Sequence, residues 1–164
     1  MQGTELLIVI VAKYLIIIPI IVLAAYFFLS NKQVQKRMVV LGGLGSGLAF
    51  ILSRIGSALY YDPRPFVTQQ IQPLIAHAAD NGFPSDHALL SFTLAAILYA
   101  FNKKWGIILG VIAIAIGAAR VAASVHSWID IGGSFVISVG SVYLVDAVLR
   151  RLPLSSRLAR WIQS

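Results

Sequence analysis

The stretch WGIILGVIAIAIGAARVAAS, Trp105 to Ser124, holds twenty residues of which one, Arg120, is charged. In helical form such a run covers ~30 Å, the hydrocarbon thickness of a bilayer. It reads as a membrane-spanning helix with an arginine near one end, where an ionisable group is costly and usually functional. Working outward, similar runs recur. Leu6 to Leu29 is interrupted by Lys13 and Pro19, and Met38 to Tyr60 carries Arg54 near its far end; Ser85 to Phe101 is shorter, and Trp128 to Leu149 closes the series before a basic tail. The polar SNKQVQKR separates the first two, other links are very short, as between antiparallel neighbours, and the sizeable loop runs from Tyr61 to Pro84. The predicted fold is an all-α, polytopic membrane helix bundle of about five transmembrane helices, one domain over residues 1–164. The short helix that starts at Ser85 is expected to open in a wet pocket.

Composition supports this reading. The chain is 59% hydrophobic and 12% charged, with a mean hydropathy of +0.85, well outside the range of soluble domains. The net charge of +7 would suggest nucleic acid in a soluble protein. Between membrane helices the same residues orient the chain, so no nucleic-acid partner is expected. The absence of cysteine excludes disulfides, thiolate metal sites and cysteine nucleophiles. The N-terminal run reads as a span rather than a cleavable signal, having no basic start and too long an apolar stretch.

Lys32, Lys36, Arg37, Lys103, Lys104, Arg150, Arg151, Arg157 and Arg160 fall on one face. The positive-inside rule makes that face cytoplasmic, with the N-terminus outside and the C-terminus inside. Glu5, Asp62, Asp80, Asp86 and Asp130 collect on the other face with His77, His87 and His126. Trp105, Trp128 and Trp161 fall at helix ends or in the tail, at headgroup level. GGLGSG, Gly42 to Gly47, lies inside a span without the Lys-Ser/Thr of a nucleotide loop, so Gly43 and Gly47 are expected to let helices approach. Ser134, Ser138 and Ser141 are read as packing positions.

Three pieces on the non-basic face carry chemistry: DPRPF (Asp62 to Phe66), PSDH (Pro84 to His87) and RVAASVHSWID (Arg120 to Asp130). Singly, Arg64 reads as a snorkelling headgroup contact, Ser85 as a helix cap and His126 as a loop histidine. Gathered at one face they suit an anion. Arginine forks match phosphate oxygens, and Ser85 at a helix start adds a hydroxyl beside outward N–H groups. With a helix starting near Ser127, Asp130 lies one turn from His126, holding one imidazole nitrogen and freeing the other to attack phosphorus. His87 can then protonate the leaving oxygen. The histidines are too scattered for a metal site, and no cofactor is expected.

Arg64-Pro65, Pro84-Ser85-x-His87 and Arg120-x5-His126-x3-Asp130 resemble the three signature motifs of the type 2 phosphatidic acid phosphatase superfamily. YYDPRPF and LIAHAADNGFPSDHA further resemble its bacitracin-resistance-type undecaprenyl-pyrophosphate phosphatases, in which Asp commonly replaces the Gly of Pro-Ser-Gly-His. The similarity runs from about Met38 to Gly140. It implies a metal-independent enzyme of the bacterial plasma membrane with an extracytoplasmic site, converting undecaprenyl diphosphate to the monophosphate and inorganic phosphate. His126 would form a phosphohistidine, Asp130 orient it, and His87 act as general acid and then base. Arg64, Arg120 and Ser85 would hold phosphoryl oxygens, and Asp86 is expected only to favour the positive helix end.

Two departures stand out. The superfamily lysine seven residues before the motif arginine is Ser57, and the serine before the third-motif arginine is Ala119. Lys13 and Arg54, at a similar depth of ~10 Å on the first two helices, are the available replacements; either they bind diphosphate oxygens or they snorkel to headgroups. The superfamily core usually has six spans, and the resemblance leads to the expectation that the first is missing here. The rival substrates are phosphatidic acid and phosphatidylglycerol phosphate. A small carrier or channel would instead spread its charges through the membrane depth.

Overall fold

The computed structural model describes residues 2–151; Arg157, Arg160 and Trp161 of the basic tail lie outside the described residues. Seven helices follow in order: α1 (Gly3–Tyr14), α2 (Ile17–Leu29), α3 (Lys32–Leu59), the short α4 (Pro65–Thr68), α5 (Asp86–Phe101), α6 (Lys103–Ala122) and α7 (Trp128–Arg151). Gly3–Leu29, α3, α6 and α7 are long and apolar enough to cross a membrane, and α5 is a shorter apolar helix. The chain is an all-helical, multi-pass membrane protein. Among the described residues the only extended pairing is an isolated bridge between Pro63 and Asn81.

The break between α1 and α2 follows from Pro19. Proline has no N–H to offer the carbonyl four residues back and crowds it. The helix accordingly opens at Leu15 and Ile16, where the Ile18 N–H donates to the Leu15 carbonyl at 3.0 Å. Helix α3 begins at Lys32, six residues before the expected Met38, because Asn31 caps it by accepting the Val34 N–H at 2.9 Å. Most of the polar link is thus a helical turn rather than a connector.

Helix α5 is the centre of the bundle. It packs on α6, α7, α3 and α2, and its 16 residues rise only ~24 Å, less than a bilayer's hydrocarbon core. Its apolar seam with α6 includes Leu98 and Leu109, both fully buried. Small polar residues bind it to α7. The Ser134 hydroxyl sits 3.0 Å from the Ser85 carbonyl and 2.7 Å from that of Asp130, and the Ser138 hydroxyl donates to the Leu89 carbonyl at 2.7 Å. Ser134, Ser138 and Ser141 are all buried, as expected of packing positions; the first two add hydrogen bonds, and the Ser141 hydroxyl has no partner.

The expected role of Gly43 and Gly47 is corrected. A side chain at either would meet nothing within 4 Å. Gly45, between them, makes the close approach: a Cβ there would stand 3.2 Å from Val142 on α7. Gly43 and Gly47 lie two residues either side of Gly45, about 200° round the helix, so the helix phase decides which glycine faces the neighbour.

The two ends of the bundle differ in content. One gathers the C-terminal ends of α3 and α6, the N-terminal ends of α5 and α7, and the loop of residues 60–85. The other holds the tight turns at Ser30–Asn31 and Asn102, with Arg37, Asp146 and Arg150.

Candidate active site

Helix α7 starts with a reciprocal cap. The Asp130 N–H donates to Ser127 Oγ at 3.2 Å, and the Ser127 N–H returns to Asp130 Oδ2 at 2.8 Å. The carboxylate so pinned lies 3.1 Å from His126 Nδ1, and both side chains are nearly sealed from solvent. The other ring nitrogen, Nε2, has Arg64 Nη1 at 3.4 Å and Arg120 Nη2 at 3.3 Å. Guanidinium groups only donate, so Nε2 presents a lone pair and Nδ1 carries the proton toward Asp130. Burial, reinforced by Arg120 and Arg64, holds the proton affinity of His126 below its ordinary value despite the opposing Asp130 carboxylate. The imidazole stays neutral.

Both arginines are buried. Arg64 is held on three sides, its Nε by Asp80 Oδ1 at 2.8 Å, Nη1 by the Val125 carbonyl at 2.7 Å and Nη2 by the Asn81 carbonyl at 3.2 Å. Arg120 keeps its Nε without a partner. Ser85 occupies the cap position of α5 but makes no cap bond, and its fully buried hydroxyl also has no partner. The plain helix-cap reading of Ser85 therefore fails. Pro84, Asp86 and His87 on either side of it line a cavity of about 330 Å³ together with Arg64, Arg120 and His126.

Two glycine contacts shape this end. A Cβ on Gly82 would stand 2.9 Å from Asp130 Oδ2, so the 80s loop can close on the carboxylate only with glycine there. A Cβ on Gly133 would enter the ring of Phe83, which lies between α7 and Gly56 of α3 and fixes the approach to Ser85.

The PAP2 superfamily model matches residues 40–152, which include every one of these groups. The chain belongs to the PAP2 superfamily. It is 32% identical over 118 residues to the "bacitracin transport permease protein BcrC" of Bacillus licheniformis, covering 71% of this chain and 58% of that protein's length. It is 30% identical over 134 residues to the "undecaprenyl-diphosphatase BcrC" of Bacillus subtilis, covering 81% of this chain and 68% of that one. The fold matches the crystal structure of a transmembrane PAP2-type phosphatidylglycerolphosphate phosphatase from Bacillus subtilis, with a TM-score of 0.65 at 21% identity over 95% of this chain and 81% of that chain.

The PAP2 departure at Ser57 lies on the cavity wall beside Arg54. Arg54 donates from Nη2 to Asp86 Oδ1 at 2.8 Å. Asp86 thus has a partner on α3, beyond the helix-end role expected of it. Lys13 does not join them. Helix α1 packs chiefly against α6, with Ala12 against Ala119 and Ala123, and Lys13 is exposed outside the cavity lining. The expected pairing of Lys13 with Arg54 across an anion is corrected, because the two helices are not the neighbours that chain order suggests.

Several residues went unassigned in the sequence. Asp80 carries Arg64, whose hydrogen bond holds the Asp80 carboxyl below the usual range. His77 lines the cavity, its ring 6.1 Å from that of His126, and burial keeps its proton affinity low. Asn81 ties the end of α3 to the loop: its amide nitrogen reaches the Ser57 and Tyr60 carbonyls at 2.9 Å, and its oxygen accepts from Asp62 and Phe83 at 3.0 Å. Asp62 accepts the Ser127 hydroxyl at 2.6 Å, bracing the α7 cap. The Asp-Asn-Gly sequence at 80–82 was the available signal, since such turns tie loops to nearby backbone.

Proposed function

We propose that this PAP2 protein is a metal-independent phosphatase of a bacterial plasma membrane that hydrolyses a polyprenyl diphosphate, undecaprenyl diphosphate above all, to the monophosphate and inorganic phosphate. The observation that carries it is the His126 lone pair, aimed between two buried guanidinium groups and tied behind to Asp130. In that arrangement Nε2 attacks the terminal phosphorus while Arg64, Arg120 and the Ser85 hydroxyl take the phosphoryl oxygens. The bond from phosphorus to the bridging oxygen breaks, its electron pair stays on that oxygen, and His87 supplies the proton. Lipid monophosphate leaves. Water then attacks the phosphohistidine, His87 accepts its proton, the N–P bond breaks, and orthophosphate departs.

The relatives support the substrate class, one being named an undecaprenyl-diphosphatase, and the reading includes recycling of the cell-wall lipid carrier and bacitracin tolerance. The extracytoplasmic position of the site rests on the lysines and arginines gathered at the opposite end. The other relative's name carries a second reading, a permease. Phosphate release by purified protein, assayed with chelator against polyprenyl diphosphate, phosphatidic acid and phosphatidylglycerol phosphate, separates these readings. Release greatest from the diphosphate is expected. Intact substrates throughout would leave the permease, and loss of activity with chelator would remove metal independence.

A further inference from the structure

Two positions that differ from the general PAP2 pattern, Ser57 for lysine and Asp86 for the glycine of Pro-Ser-Gly-His, meet in one place. Arg54 and Ser57 are three residues apart on α3, neighbours on one helix face, and both line the cavity. The Ser57 hydroxyl lies 3.2 Å from the Asn81 amide and brings no charge. Arg54 does, and its guanidinium reaches across from α3 to Asp86, the first residue of α5 and the chain neighbour of His87.

We propose that Arg54 and Asp86 form the subsite for the leaving phosphate of a lipid diphosphate, with Arg54 supplying the cation missing at position 57 and Asp86 as the positioning residue that holds it there. The proposal rests on the reading of the cavity as a lipid-phosphate hydrolase site. When His126 attacks the terminal phosphorus, the inner phosphate departs on the side of His87, which protonates it. Asp86 places Arg54 on that side. A phosphate monoester has no second phosphate to occupy the subsite, so the pair discriminates between the two substrate classes.

Arg54 needs a tether. Its side chain is about half exposed at 52%, and its guanidinium also lies 5.3 Å from the ring of Phe50, one turn back along α3. Without Asp86 that ring contact alone would hold it, and it is free to snorkel toward headgroups. With Asp86 engaged, one of its five donors is used and the others remain for phosphate oxygens.

The test is the ratio of kcat/KM for a polyprenyl diphosphate to that for phosphatidic acid, measured on the purified full chain. Arg54→Leu should lower the ratio roughly tenfold to a hundredfold, the loss of one charge-assisted contact. Asp86→Asn should lower it about threefold to tenfold, mainly through KM for the diphosphate, and add nothing in the Arg54→Leu background. Moving the cation with Arg54→Ser and Ser57→Lys should restore the ratio and make it insensitive to Asp86→Asn. An unchanged ratio in Arg54→Leu, or an Asp86→Asn loss that is equal on both substrates or persists without Arg54, would overturn the subsite while leaving the phosphatase reading intact. A wild-type protein inactive on both substrates would overturn that reading, and the subsite with it.

Discussion

Asp130 and Asp146 stand at opposite ends of α7, and each meets basic groups. Asp146 accepts from Arg37 Nη2 at 2.6 Å and from Arg150 Nε at 2.7 Å, one carboxylate oxygen for each. Arg150 there is open to solvent and Arg37, over the Phe101 ring, partly so. Charges at that end answer one another. At the other end Asp130 spends Oδ2 on the His126 ring and the Ser127 N–H, while Arg120 Nε and the Ser85 hydroxyl are sealed in without partners. Buried groups without partners cost folding free energy, and a bound anion at this end would offset that cost for Arg120 and Ser85; the Ser141 hydroxyl, farther along α7, is unpartnered as well. Unspent hydrogen-bonding capacity, more than charge, separates the site from the structural ion pair.

The largest effect belongs to the nucleophile. His126→Ala should reduce turnover to below ~10⁻⁴ of wild type and abolish any acid-trapped phosphoenzyme. Substantial residual turnover would end the nucleophile assignment and make the two ends of the bundle alike.

Next comes Asp130→Asn. Oδ2 accepts both the Ser127 N–H and the His126 Nδ1 proton, so an amide keeps its oxygen there and the tautomer with it; what is removed is the negative charge behind the ring as Nε2 takes on positive charge, and a loss of ~10²–10³-fold is expected. The same variant sharpens the pH behaviour. Burial and the arginines lower the proton affinity of His126 while Asp130 raises it. In the wild type, phosphoenzyme formation should therefore persist below the ordinary imidazole value of ~6.5 and fall only at more acid pH, as Nε2 protonates. Without the Asp130 charge, the acid limb of the residual activity should move lower still. A limb moving upward would mean that Asp130 does not face the imidazole.

Ser85→Ala separates a phosphate contact from a helix cap. Loss of a cap costs ~1 kcal/mol of stability. Ser85 makes no cap bond, so thermal stability should hold while activity falls roughly tenfold to a hundredfold, the worth of one hydroxyl on a charged oxygen. A drop in melting temperature with unchanged kcat/KM would return Ser85 to the scaffold.

What the sequence made legible was whatever depends on spacing within one element or on burial of whole segments. Five apolar runs place the helices, and His126 with Asp130 across a helix start needs only the helical pitch. Contacts between elements distant in the chain were out of reach. Asp86 to Arg54 and Asp80 to Arg64 depend on how the 60–85 loop folds over the bundle end, and several short polar residues decide that together. Lys13 failed for the same reason, because chain order does not say that α1 leans on α6. The choice among Gly43, Gly45 and Gly47 turned on helix rotation, which apolarity on every side leaves undefined in a membrane segment.

The smallest effect is expected at the opposite end, and it is the control on the comparison. Arg37→Ala removes one of the two arginines on Asp146 and leaves the other, Arg150, one helical turn away and still bonded to it. The carboxylate keeps a partner and the pair lies near solvent, so the loss should be at most ~1 kcal/mol of stability, shrinking as salt screens it. This cluster is separated from His126 by most of the length of α7 and of α3. The kcat/KM on lipid diphosphate should stay within about twofold of wild type, a free-energy change below ~0.4 kcal/mol. A tenfold loss of kcat/KM with unaltered thermal stability would show that α7 transmits strain between its two carboxylates, and the division of the bundle into a satisfied end and a reactive end would have to be given up.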